Sequence, residues 1–192
     1  MAATDLQTGV DGSGGSGDGG APLQRQPWIR FALVFGALAV VSEVLYQGVT
    51  LESAGFQAYL GVLAWISASV LGCFETGIVV SGSLITNSSF AVEVARGCDA
   101  VQVCSLLAAA VIAFPLEVKA KLRGLALGIL VLQIFNLLRI ITLFLIGAHL
   151  NRIFHAAHVY VWPTILIVVT IAVWIGWVRW ETRLESPVEH AS

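Results

Sequence analysis

Cys98, Arg139 and a histidine at position 155 or 158 are the residues through which this chain could do covalent chemistry. A thiol attacks a carbonyl once an imidazole takes its proton, and the resulting oxyanion needs a fixed positive charge or donor. Three roles meet three residue types, supplied by three separate apolar segments. Cys98 lies in "FAVEVARGCDAVQ", where an alternating, strand-like run gives way to an apolar helix. At a helix start, unpaired N–H groups and the dipole favour thiolate, and Arg96 adds local positive charge. Asp99 suits the cap of the same helix, and could instead steady the histidine.

The other two cysteines fit packing better. Cys104 is six residues on, about 240° round a helix, so it cannot share a site with Cys98. It sits among Val103, Leu106 and Leu107, and Cys73 ends another apolar run. No zinc-type CxxC spacing occurs, and neither a metal nor a cofactor is expected.

Arg139 stands in "QIFNLLRIITLFLIG", about 12 Å from the far end of its helix and deeper than snorkelling handles comfortably. A charge inside a span costs about 2.5–3.5 kcal/mol on insertion scales, so it needs a reason. Asn136, three residues earlier, shares its face and could orient it. The bland reading is an arginine tied to carbonyls as glue between helices. Glu43 in the first span could pair with Arg139, or be a carboxylate near the interface. His149, His155 and His158 cluster in "GAHLNRIFHAAHVYVWP", with His155 and His158 on one helical face.

The elements that must position these groups are read from hydropathy. The chain has 192 residues, 57% of them hydrophobic and 11% charged, with a mean hydropathy of +0.86. This composition indicates a polytopic α-helical membrane protein and offers no basic patch for nucleic acid. Residues 1–27, including "DGSGGSGDGG", are a Gly/Ser/Asp tail expected to be disordered. The tail lacks the n- and h-regions of a cleavable signal, so the segment from Trp28 reads as a retained anchor. A membrane-embedded domain over 28–180 and a cytoplasmic tail over 181–192 follow.

Four segments, 29–49, 100–118, 125–148 and 159–177, are long enough for a hydrocarbon core of about 30 Å. A fifth, 56–73, is shorter and interrupted by Gln57, Ser67 and Ser69. Arg25 and Arg30, then Lys119, Lys121 and Arg123, then Arg179 and Arg183 should all be cytoplasmic. Only an even number of crossings can separate these clusters. Four spans are therefore expected, with 56–73 interfacial or re-entrant. The intervening "GIVVSGSLITNSSFAVEV" reads as an extracytoplasmic β-hairpin. Tyr160 and Trp162 would sit in the aromatic belt on that side, and Trp177 and Trp180 in the inner one.

"EVARGCDAVQ", followed roughly forty residues on by "NLLRI" and then by "FHAAHVYVW", resembles the exosortase/archaeosortase family, most closely its exosortase H branch. The similarity covers residues 28–180. It implies a multi-pass cysteine transpeptidase of the bacterial inner membrane with its active site facing the periplasm. The implied partners are exported proteins ending in a short motif, a transmembrane helix and a basic tail, with an Ile-Pro-Thr-Leu type motif for the exosortase H branch. Carried over, the family's cysteine is Cys98, its arginine Arg139, and its histidine His158, with His155 one turn earlier as the rival. Where many members have glycine two residues after the cysteine, this chain has Ala100. The competing reading is non-enzymatic: a small membrane scaffold, or a transporter, with buried polar residues.

Overall fold

The computed structural model describes residues 27–48 and 53–185. The chain is a polytopic helical membrane protein carrying a small antiparallel sheet. Helices α1 (Pro27–Gly48) and α2 (Ala54–Leu71) precede strands β1 (Val79–Ser81), β2 (Leu84–Thr86) and β3 (Ala91–Glu93). Helices α3 (Val101–Ala113) and α4 (Val118–His149) follow. A short α5 (Asn151–Ala156) then runs through a π-helical turn (Ala157–Val161) into α6 (Trp162–Glu185). The expected tail over 1–27 lies outside the described residues except for Pro27, which opens α1. The expected C-terminal tail is still helical to Glu185, and 186–192 lie outside.

The end of α3 has a local cause. Pro115 forces Phe114 into an extended conformation (φ −73°, ψ 136°), so α3 stops at 13 residues rather than filling the expected 100–118. The expected hairpin is a three-stranded meander in the order β1-β2-β3. Gly82, at φ +61°, makes the two-residue turn between the paired residues Ser81 and Leu84. The third strand follows because Asn87 Oδ1 accepts N–H groups from Ser89 (2.9 Å) and Phe90 (2.8 Å), turning the chain back. β2 then pairs with β3, setting Ile85 opposite Val92.

Contacts along α4 fix the level of every other helix. At its start, Lys121 Nζ donates to Ile112 O of α3 (2.7 Å), Trp177 Nε1 to Ala120 O (3.1 Å), and Arg123 pairs with Glu181 (2.8 Å). Phe31 of α1 meets Phe114 edge-on there. Eighteen residues on, about 27 Å at 1.5 Å per residue, Arg139 stands level with the start of α3. Tyr46, near the end of α1, reaches Asp99 at that level. The interval between the two levels is therefore shared by α1, α3, α4 and α6.

Helix α2 lies elsewhere. By length and composition α1, α2, α4 and the run Asn151–Leu184 can each cross a membrane, whereas α3 is shorter. Direction separates α2 from the others. Gln133 of α4 donates to Tyr59 (2.7 Å), and His149 meets Glu75. The intervals 59–75 and 133–149 are both sixteen residues, so α2 runs parallel to the second half of α4. It continues away from the basic end instead of returning to it. Leu60, Leu63, Ala64 and Leu71 pack there with Ile85 and Val94 of the sheet region and Ile140 and Phe144 of α4.

Small residues on α4 set how closely its neighbours approach. A Cβ on Gly124 would lie 2.6 Å from the Trp177 indole, and one on Gly128 would collide with Leu107. This Gly-x-x-x-Gly face receives the Trp177 side chain of α6 and the Leu107 side chain of α3 directly against the α4 backbone. Trp177 is consequently buried rather than belt-like, as is Trp162 against Leu143 and Ala157. Gly128→Leu should cost about 1–3 kcal/mol and lower the melting midpoint by roughly 3–10 °C. Gly36→Leu, where an added side chain meets nothing, should leave the midpoint unchanged in the same detergent melt.

Candidate active site

Four consecutive carbonyls define the site. Arg139 Nη1 donates to Gly97 O (2.7 Å), Asn136 Nδ2 to Cys98 O (2.9 Å), and Tyr59 Oη to Asp99 O (2.6 Å). The fourth, Ala100 O, accepts Cys104 N–H (3.0 Å) as the first bond of α3. Segment 97–100 is thus irregular backbone with every carbonyl paired, as an apolar setting demands. Asn136 and Arg139 are buried, and with Gln133 they form a polar stripe at i, i+3 and i+6 on α4. Gln133 holds Tyr59 in place, so the whole stripe serves one loop.

Two residues of the segment have left-handed backbones. Gly97 has φ +88°, and Ala100 has φ +59°. For alanine this conformation costs about 1–2 kcal/mol, and glycine avoids the penalty. Position 100 is therefore one whose backbone favours glycine although the chain has alanine there. Ala100→Gly should leave stability equal or slightly higher, whereas Ala100→Val should lower the melting midpoint, since β-branched side chains tolerate this region worst. A melt of the two variants that reversed this order would contradict the left-handed turn.

Asp99 is buried. Its Oδ1 accepts Val101 N–H (3.0 Å) and its Oδ2 accepts Tyr46 Oη–H (2.7 Å). It satisfies the first N–H of α3 from one position before the N-cap residue Ala100 and ties down α1, and among the described residues it has no hydrogen bond to a histidine. Arg96 lies over the Tyr46 ring, 5.1 Å from its centroid. Glu43 does not pair with Arg139: it accepts from Gln47 (2.9 Å) and from Gln102 (3.2 Å). Tyr46, Tyr59 and Gln133 are the site residues that sequence reasoning missed.

Cys98 is half-buried in a turn closed by its own N–H to Ala95 O (2.9 Å), three residues before α3 begins. Its side chain packs against the α2–sheet–α4 apolar cluster. Burial pushes the thiol above its ordinary range, and the Asp99 charge adds to this. The Arg139 guanidinium opposes it, as does a backbone hydrogen bond at Ala95. The net push is upward, opposite to the direction expected of a thiol at a helix start.

His158 lies in the π-helical turn, within a helix that starts earlier than the expected 159. Its ring stacks on Phe154 (5.8 Å, 12°), which meets Phe90 edge-on (5.5 Å). Phe90 in turn sits over Gly147, where any Cβ would strike its ring. The strand-side end of "FAVEVARGCDAVQ" thereby sets the orientation of the histidine. His158 Nδ1 is buried without a hydrogen-bond partner, and it feels the Arg139 charge, as Cys98 does. His155 is exposed beside Tyr160, and His149 pairs with Glu75 away from this centre. No hydrogen bond joins Cys98 to His158.

A cleft of about 240 Å³ opens between segment 97–100 and α6, walled by Gly97, Asp99, Ala100, Arg139, Pro163 and Leu166. Buried polar atoms without a partner, Arg139 Nε, Asn136 Oδ1 and Gln133 Oε1, lie along the same stripe. The chain matches no protein-family model, curated protein or solved structure.

The opposing effects on Cys98 give a signed prediction. In a variant retaining Cys98 as its sole cysteine, the iodoacetamide rate should rise with pH through a midpoint above that of an exposed thiol. Arg139→Gln removes the charge that favours thiolate, so the midpoint should move further up. A midpoint unmoved or lowered by that substitution would show that Arg139 does not act on the thiol.

Proposed function

We propose that this protein is a membrane-embedded cysteine peptidase or transpeptidase that cuts the C-terminal sorting signal of exported proteins and passes the acyl group to an acceptor. The carrying observation is segment 97–100: a cysteine between two cleft-lining residues, held by a buried arginine with a partnerless Nε–H beside it. An arginine serving only as glue has no need of a cleft beside it, nor of a histidine with an unsatisfied buried nitrogen.

In this reading the substrate places its scissile carbonyl in the cleft against Arg139. A rotamer change swings the Cys98 thiol out of its apolar packing toward that carbonyl. His158 takes the thiol proton as the S–C bond forms, and Arg139 stabilises the oxyanion. The C–N bond then breaks, the leaving amine collects the proton from His158, and a thioester remains. Attack by a nucleophile releases the thiolate and completes the transfer. Asn136 keeps Arg139 and the Cys98 carbonyl in register. In this reading the basic end lies in the cytoplasm of a bacterium, as its excess of lysine and arginine favours, and the cleft faces the periplasm across the inner membrane.

Co-expression with a protein bearing a motif, a transmembrane helix and a basic tail, followed by intact mass of the product, tests this. The wild type should yield a trimmed product whose mass identifies both the cut and any acceptor. Cys98→Ala should abolish trimming at unchanged membrane abundance, and Arg139→Lys should slow it by about 10²-fold or more, the scale of losing an oxyanion donor. Normal processing by Cys98→Ala would sink the cysteine mechanism. An electrophilic thiol probe with no preference for Cys98 over Cys104 would favour a scaffold instead.

A further inference from the structure

At the basic end of the bundle, far from Cys98, two cavities share a wall at Phe31. The first, about 310 Å³, is lined by Arg30 of α1, by Phe114 and Pro115 of the α3–α4 turn, and by Lys121 of α4. The second, about 200 Å³, extends from Phe31 toward the middle of the bundle over α3, between α1 and α6. Phe35, Leu106, Ala110, Ile171 and Trp174 help to line it, and its walls are apolar. The slot exists because α1 packs along α3 and meets α6 through the Phe31–Trp174 ring contact at 5.9 Å.

Charge and position together select an occupant. Arg30 and Lys121 converge on the first cavity, whose lining residues include no carboxylate. Among the described residues neither cation has an ion pair, whereas Arg123 close by is matched by Glu181. Lys121 is already oriented by its bond to Ile112 O (2.7 Å). From Phe114 to Leu106 the groove follows α3 for eight residues, about 12 Å into the apolar layer. An anionic head at the basic boundary with a hydrocarbon chain leading inward matches both halves. A zwitterionic head would bring an ammonium to a cavity with no carboxylate to receive it.

We propose that this slot binds an anionic glycerophospholipid, its phosphate between Arg30 and Lys121 and one acyl chain along α3 between α1 and α6. Bound there, the lipid wedges α1 against α6 where the protein itself supplies few contacts. The site involves none of the groups that act on Cys98, so it stands or falls apart from the proposed activity.

The test uses the full chain in mixed micelles of phosphatidylglycerol and phosphatidylcholine, read by native mass spectrometry, with a melt confirming that each variant is folded. Wild type should retain phosphatidylglycerol in preference to phosphatidylcholine. Arg30→Gln, at an exposed helix end, should reduce that retention roughly five- to tenfold, the scale expected for one basic group. Ala110→Phe keeps both charges but fills the groove, and should reduce retention as well. Equal retention of the two lipids, or unchanged phosphatidylglycerol retention by Arg30→Gln, would overturn the headgroup assignment. Full retention by Ala110→Phe would overturn the acyl-chain assignment. Displacement of phosphatidylglycerol by glycerol phosphate at the same concentration as by whole lipid would reduce the slot to an anion site and overturn the lipid reading.

Discussion

The hydrogen bonds onto the carbonyls of Gly97, Cys98 and Asp99 are the constraint on which the rest of the architecture depends. Non-helical backbone beside an apolar bundle leaves carbonyls that water cannot reach, and a buried arginine, asparagine or tyrosine has the complementary problem. Each resolves the other. Because the donors come from α4 and α2, and Asp99 in turn binds Tyr46 of α1, one four-residue segment ties three helices to the start of a fourth. The loop is thereby held on both sides by hydrogen bonds from side chains of α1, α2 and α4.

That arrangement also explains the placement of α2. A helix with the hydropathy of a span would ordinarily return to the basic end. Tyr59 is instead fixed at the level of Gln133, and the second half of α4 offers an apolar face further on. Packing α2 there buries Leu60, Leu63 and Leu71 against the sheet region and Phe144, and leaves the positive clusters at one end. The parity of the basic loops and the direction of α2 are two expressions of one geometry.

Much of this was legible in the sequence, and the misses have physical reasons. The apolar segments and Arg139 with Asn136 on one face could be read from hydropathy and helical spacing. The 56–73 run, expected to be interfacial or re-entrant, instead forms α2, which is long and apolar enough to cross a membrane, while α3, expected as a span, is the shorter helix. Gln133 completes the same i, i+3, i+6 stripe and could have been found by extending it one step. Tyr46 and Tyr59 could not, because a tyrosine near a span end reads as an interfacial anchor until its partner is seen. The left-handed backbone of Ala100 was hidden by alanine's preference for helix, and the early end of α3 lay in Pro115, which the apolar run overshadowed. The third strand depended on an Asn87 turn that looked like the tip of a hairpin.

The largest divergence concerns the thiol, and it bears on how such a site could work. A helix dipole and a nearby Arg96 argued for a thiolate at rest, but Cys98 lies before the helix and Arg96 lies over the Tyr46 ring. Desolvation then dominates and pushes the thiol upward, with Arg139 as the opposing charge. A buried neutral thiol is a poor nucleophile and also a safe one, slow to oxidise or to meet stray electrophiles. Under the proposed function, activation would come with the substrate, through a base and a move out of apolar packing. Arg139 suits that sequence of events because a guanidinium carries five donors in a fixed plane. One of them, spent on Gly97 O, fixes the plane, and this orients the rest. The structural and electrostatic readings of Arg139 are therefore not rivals. The bond that makes it glue is the one that would aim its remaining donors.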